Sequence, residues 1–277
     1  MAKKKPTRRT SAGRTATKPS SVQQFILNCI PSQDTERDWT FGDAAGAGIL
    51  AAASIPPTKD LRESWWTIQN QGSTGACVGF ASADSVLRWH MVKANRITQS
   101  ELLSMRYVWM ASKETDVFVT RPTTFIESEG TSLKAALDIC RNFGIVLDAV
   151  LPFTSGTLYQ GSTNSLYALA AQRKIASYFN LGRNLTDWRT WIANNGPILT
   201  RLNVDATWDN ASANGGKLDS YQPLTTRGGH AVAIVGYTKD RFIIRNSWGT
   251  TWGDKGFAYA ANAYAADAFT EAYGVSL

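Results

Sequence analysis

The hydrophobic period of this chain changes partway along its length, and that change constrains the fold more than any single residue. From Cys77 onward, Phe80, Ala83, Leu87 and Met91 recur at spacings of three and four, which places them on one face of a helix. A second helix is predicted from near Ser132, with Leu133, Ala136, Leu137 and Cys140 on one face and Gly144 as its stop. A third is predicted from Asp187, a good N-cap, through Trp188, Trp191 and Ile192 to Asn195-Gly196-Pro197. Beyond it, residues 198–204, 231–237, 242–245 and 257–260 read as short strands separated by Gly-bearing turns. A helical first half before a strand-rich second half implies an α+β protein with two lobes rather than a doubly wound sheet.

The 277 residues are 43% hydrophobic, enough for a sizeable core. No run of about 18 apolar residues suggests a membrane span. The net charge of +7 is localised. Residues 1–21 hold seven Lys and Arg and no acid, so the remaining 22 basic residues balance the 22 acidic ones. This Ser-, Thr- and Pro-rich tail lacks an apolar period and is expected to be disordered. It reads as a solvated tail or as a weak binder of an anionic partner. It lacks the apolar centre of a secretory signal, so a cytoplasmic location is expected, with export by a signal-independent route left open.

Residues 22–60 read as a short N-terminal extension. Within it, residues 22–30 suggest a short helix and residues 31–57 are irregular. The globular domain is expected over 61–277, with a helical lobe to about residue 160 and a β lobe after it.

Three cysteines (Cys29, Cys77 and Cys140) imply no disulfide framework, and with two histidines they offer no metal-ligand cluster. Of the histidines, His90 sits thirteen residues along the same predicted helix as Cys77, about 20 Å away, too far to serve that thiol as a base. It is expected to be a packed or surface residue. His230 follows Gly228-Gly229 and leads into the apolar strand Ala231-Val232-Ala233-Ile234-Val235, at an edge where clefts form. Cys77 stands where a loop enters a helix, and the unpaired N–H groups there favour a thiolate. Cys140 lies mid-helix on an apolar face, and Cys29 lies outside the expected domain.

Three runs then carry a resemblance. Asn70-Gln71-Gly72-Ser73-Thr74-Gly75-Ala76-Cys77 resembles the active-site segment of papain-like cysteine peptidases. Gly229 to Tyr237 resembles their histidine strand, and Arg245 to Gly256, with Asn246, Trp248 and Trp252, their asparagine loop. The order Cys, His, Asn is the family's order. Cys77 and His230 are 153 residues apart, slightly beyond the family's spacing of about 130–150, and a modest insertion accounts for the difference. The resemblance covers roughly residues 61–274. The chain departs from the family at Thr74, where a disulfide-bonded Cys is usual, at Val78, where Trp is usual, and at Gly229, where Asp is frequent. The long inhibitory propeptide of the family's eukaryotic members is not expected to fit into the roughly sixty residues before Leu61. These changes resemble a bacterial or viral branch made without disulfides.

The resemblance implies a papain-like two-lobed fold, a helical lobe and an antiparallel β-barrel-like lobe with the cleft between them. It also implies a cysteine endopeptidase acting on polypeptide substrates without a cofactor. Cys77 is the implied nucleophile, His230 the base and then acid, Asn246 the residue that orients His230, and Gln71 the oxyanion donor. Gly130 and Trp248 are expected to bind the substrate, Gly130 through its backbone, and Trp248 also to cover the His–Asn hydrogen bond. The rivals are an acyl transferase or peptide ligase on the same fold, and an inactive binding module, against which the presence of all four residues argues. Residues 22–39, with Phe25, Ile26, Leu27 and Ile30 as an apolar cluster in need of a partner surface, are the candidate for a short prosegment across the cleft or for a helix packed behind a lobe.

Overall fold

In the computed structural model, residues 25–50, 54–116, 123–154 and 158–277 are described; the basic tail and residues 22–24 lie outside them. The helix expected after Cys77 runs as α-helix over Cys77–Gly79, widens into a π-helical stretch over Phe80–Leu87 and closes as α-helix over Arg88–Lys93. Phe80, Ala83, Leu87 and Met91 are buried, but so are Val78, Asp84, Val86, Arg88 and His90. The single apolar face therefore understates it: this is a central helix packed on nearly all sides, between the other helices and the sheet.

The second predicted helix spans Leu133–Asn142, with Ser132 capping the N–H of Ala135. The third spans Leu185–Asn194. Its cap is Asn184, whose Oδ1 accepts from Thr186 N, so Asp187 lies inside the first turn rather than at its start. Two further helices, Met105–Thr115 and Thr163–Ala170, were not foreseen; serines cap both.

Eight strands make one sheet. They are β1 (Lys59–Asp60), β2 (Ser177–Asn180), β3 (Ile198–Val204), β4 (Lys217–Leu218), β5 (Gly228–Tyr237), β6 (Arg241–Arg245), β7 (Phe257–Ala261) and β8 (Phe269–Ser276). Their order is β2-β8-β3-β5-β6-β7-β4, with β1 beside the end of β5. Every pairing is antiparallel except β4 with β7. The four expected strands are β3, β5, β6 and β7. Unforeseen β8 pairs along β3 and is largely buried, which makes it as central as they are. Since β1 pairs with β5 and Leu61 N donates to Val235 O, the sheet takes in residues just before Leu61.

No helix among the described residues is long and apolar enough to cross a membrane. The N-terminal residues differ most from expectation. Residues 25–30 form no helix: they run extended, with Asn28 bridging Gly229 in a parallel pairing.

Candidate active site

The central helix begins at the sheet, and β5 brings His230 to its first turn. No side chain caps this helix, so its leading N–H groups stay uncommitted at Cys77. Cys77, His230 and Asn246 are all buried at 1% exposure or less. His230 Nε2 lies 2.8 Å from Asn246 Oδ1. That bond leaves Nδ1 as the nitrogen next to Cys77. Nδ1 meets no partner at strict hydrogen-bond geometry, but the imidazole is close enough to stabilise a thiolate. The Cys77 thiol is held well below its ordinary range, first by a hydrogen bond from the Cys29 side chain and then by His230 and the backbone at Ala231, against the opposing cost of burial.

Asn246 follows β6 directly, and its loop is fastened to the loop before Cys77. Gln71 N donates to Ser247 O at 2.9 Å, and Asn70 bridges Trp248. The Ser247 hydroxyl donates to Gln71 Oε1 at 2.7 Å, which fixes the orientation of the amide. Gln71 Nε2 spends one hydrogen on Thr74 O at 3.0 Å, which leaves it a second one to donate. Behind the loop, Arg245 donates to Asp84 of the central helix at 2.7 Å and to Thr67 O, while Arg88 reaches the same carboxylate at 3.2 Å. One buried acid between two buried guanidiniums thus ties the asparagine loop to the helix that carries Cys77.

An aromatic wall encloses the imidazole. The Trp248 ring centroid is 4.8 Å from that of His230, and Trp208 meets it edge-on at 5.6 Å. Trp252 stacks on Trp208 at 4.8 Å. Trp248 and Trp208 thus both pack on the His230 ring.

The N-terminal segment lies across this site. Phe25 stacks flat on Trp248, 4.0 Å between centroids and 2° between planes. Cys29 N donates to Gly229 O at 3.0 Å, its carbonyl accepts from Arg201 Nε at 3.0 Å, and Ile30 N donates to Thr131 O at 3.2 Å. Two glycines make room for it. A Cβ on Gly130 would fall 2.0 Å from Asn28 O, and one on Gly229 2.2 Å from Cys29 O. Gly130 therefore does meet a peptide backbone, that of this chain's own segment. Cys29, expected outside the domain, is buried against Cys77, and burial beside that thiolate pushes its own thiol well up. A cavity of about 860 Å³ opens beside the segment, between Ser73, Trp208, Arg227 and Trp252.

His90 is buried and remote from the site, its pKa pushed down to about 4 by desolvation. Cys140 is buried in its helix, and burial alone pushes its thiol up. Sequence reasoning missed Arg245, Asp84, Ser247, Trp208 and Cys29. Single charges inside otherwise apolar runs (Asp84 in 80–87, Arg245 at the end of β6) were a readable signal; the position of Cys29 left none.

Residues 55–273 match the papain family cysteine protease profile. Among characterised relatives, macrodontain-1 of Ananas macrodontes is 28% identical over 208 residues, 74% of this chain and 88% of that protein. Ananain of Ananas comosus is 29% identical over 215 residues, again 74% of this chain but 55% of ananain. In structure, the chain is similar to xylellain, a cysteine protease from Xylella fastidiosa. The TM-score is 0.74 at 19% identity, covering 94% of this chain and 99% of xylellain. The chain belongs to the papain family of cysteine proteases: it is a cysteine-type peptidase acting on polypeptides, with the α+β two-lobed fold.

Proposed function

We propose that this chain is an endopeptidase in which Cys77 attacks the scissile carbonyl while His230 and Asn246 manage the proton. The observation that carries this is the 2.8 Å contact between His230 Nε2 and Asn246 Oδ1 beside the thiol at the start of the central helix. With Nε2–H donated to the Asn246 oxygen, Nδ1 holds the proton that the Cys77 thiolate has given up. Attack forms a tetrahedral oxyanion. The second Gln71 Nε2 hydrogen and the Cys77 backbone N–H are the donors for it, and Ser247 keeps the Gln71 amide from turning over. Imidazolium then protonates the leaving amine. The neutral imidazole next takes a proton from water, which attacks the thioester and frees the acid.

Residues 25–34 act here as an inhibitory segment. In its support, the segment's backbone runs against Gly130 and Gly229, and Phe25 covers Trp248, so a polypeptide cannot enter until the segment leaves. The basic charge of residues 1–21 suits a weak anionic partner, and three unpaired cysteines suit a reducing compartment such as the cytoplasm.

Gln71→Ala tests the mechanism. Cleavage of a small peptide should fall in kcat by about 10²–10³-fold with the fold intact, and Cys77→Ala, as control, should have no activity. A loss under about threefold, less than about 1 kcal/mol of barrier, would leave Gln71 as a loop residue.

A further inference from the structure

Two thiols meet inside the closed cleft. Cys29 and Cys77 are 48 residues apart in sequence, exposed by 2% and 0%, and their side chains are close enough to act on one another. The backbone of Cys29 is pinned on both sides of that contact, by Gly229 O and by Arg201 Nε. The bond to Gly229, the residue before His230, holds Cys29 at the thiol and imidazole of the site. An inhibitory segment needs only bulk and backbone bonds at this point, so a nucleophilic side chain placed on the catalytic sulfur is left unexplained by inhibition.

We propose that Cys29 and Cys77 are a redox modification site, in which hydrogen peroxide joins them as a disulfide that fastens the segment over the nucleophile and a thiol reductant reopens it. The proposal rests on reading residues 25–34 as the inhibitory segment. The Cys77 thiolate attacks one peroxide oxygen and the O–O bond breaks. Hydroxide leaves, takes the proton held on His230 and becomes water; Cys77 is now a sulfenic acid. The Cys29 sulfur attacks the Cys77 sulfur and the S–O bond breaks. The departing hydroxide takes the Cys29 thiol proton, giving a second water. Two thiols are oxidised and one peroxide is reduced to two waters. Two equivalents of a monothiol, or one of a dithiol, reverse the change by exchange at the disulfide.

The chemistry of the two sulfurs supports this order. Cys77, held as a thiolate, is the sulfur that reacts with peroxide, and Cys29, held as a thiol beside it, is the one that resolves the sulfenic acid. Resolution spares Cys77 the irreversible steps to sulfinic and sulfonic acid. Cys140, isolated in its helix, has no such partner.

The test treats the full chain with hydrogen peroxide and digests it without reduction. Mass spectrometry is expected to find the peptide holding Cys29 joined to the peptide holding Cys77, two hydrogens lighter than their sum. Peptidase activity should be lost and then return on adding dithiothreitol. In Cys29→Ser the same treatment should take Cys77 to sulfinic or sulfonic acid, and reductant should not restore activity. A Cys29–Cys140 link, no link at all, or Cys77 over-oxidised equally in both proteins would overturn the proposal. The cross-link is read without any assay of cleavage. A joined pair in a chain with no activity even when reduced and freed of residues 1–33 would instead overturn the peptidase reading.

Discussion

Asp84 in the central helix and Cys29 in the N-terminal segment are both buried beside the same site, yet they are held by different kinds of contact. Asp84 accepts from Arg88 and Arg245 within a knot whose side chains are 3% exposed or less, and Arg245 also bonds Thr67 O and lies over the Trp66 ring at 4.8 Å. The segment around Cys29 is held by single hydrogen bonds, from backbone pairs with Gly229 and Thr131, from Arg201 to Cys29 O, between Asn28 and Ser128 O, and between Ser32 and both Glu271 and Lys134 N, and by the Phe25 stack; residues 25–33 carry no charge to form an ion pair. Backbone bonds of that kind are exchangeable with those of a substrate or with water at little net cost, whereas a buried ion triad cannot be opened without stranding charge. On the function proposed above, the catalytic residues stand on the part that does not come apart, and the part that covers them is the one held by exchangeable bonds.

The difference is broken most severely at Asp84. Asp84→Ala leaves two guanidiniums buried without their shared carboxylate and is expected to cost about 3–5 kcal/mol of stability. Urea unfolding of the two proteins measures it. A loss below about 1 kcal/mol would mean that water or backbone carbonyls already satisfy both arginines and that the triad does not hold the helix to the asparagine loop.

A smaller effect, also in the central helix, depends on pH. His90 is buried with its pKa pushed down to about 4, against an ordinary value near 6.5. As pH falls through about 6.5 the unfolded chain takes up a proton that the folded chain refuses. The stabilisation is therefore complete above that pH, and is lost progressively as pH falls toward about 4. Its slope is at most about 1.4 kcal/mol per pH unit. Between pH 7 and 5 the wild type should lose about 2 kcal/mol more than His90→Gln, which cannot titrate. Parallel stability curves for the two proteins would show that His90 titrates normally and that its burial is relieved in solution.

These elements were legible in the sequence to very different degrees. Cys77 and His230 sit in short runs with a local signal, a loop entering a helix and a glycine pair entering a strand, but it was the resemblance of three runs to the papain-like family, in that family's order, that implied their gathering with Asn246 and Gln71 in one cleft. Strands β3, β5, β6 and β7 were readable because apolar runs end in glycines. β8 was not, because Thr270 and Glu271 interrupt its apolar face and its pairing with β3 spans some seventy residues. The segment at 25–30 was misread as a helix for a related reason: Phe25, Ile26, Leu27 and Ile30 fit helical spacing, but the backbone bonds waiting at Gly229 and Thr131 decide its conformation. Local propensity loses to a tertiary partner of that kind, and only the need of those apolar residues for some partner surface could be read.

The smallest expected effect sharpens the comparison on its removable side. Phe25 contributes a flat stack on Trp248 and no hydrogen-bonded scaffold of its own. Such a pair is worth about 0.5–1.5 kcal/mol beyond the area it buries. Phe25→Ala should therefore weaken the hold of the segment by about threefold to tenfold and raise cleavage of a small peptide at low substrate concentration by a similar factor. Thermal stability should move little, because Phe25 is only half-buried, at the margin of the core. Were Phe25 instead a structural plug, the variant would melt earlier with unchanged KM. That result would place residues 25–30 with the scaffold and remove the distinction between the part that stays and the part that leaves. The two outcomes separate in one pair of measurements, initial rate against substrate concentration and a melting curve. Phe25→Trp provides the converse: a larger ring on Trp248 should tighten the segment and lower the rate, and it leaves Cys77, His230 and Asn246 untouched.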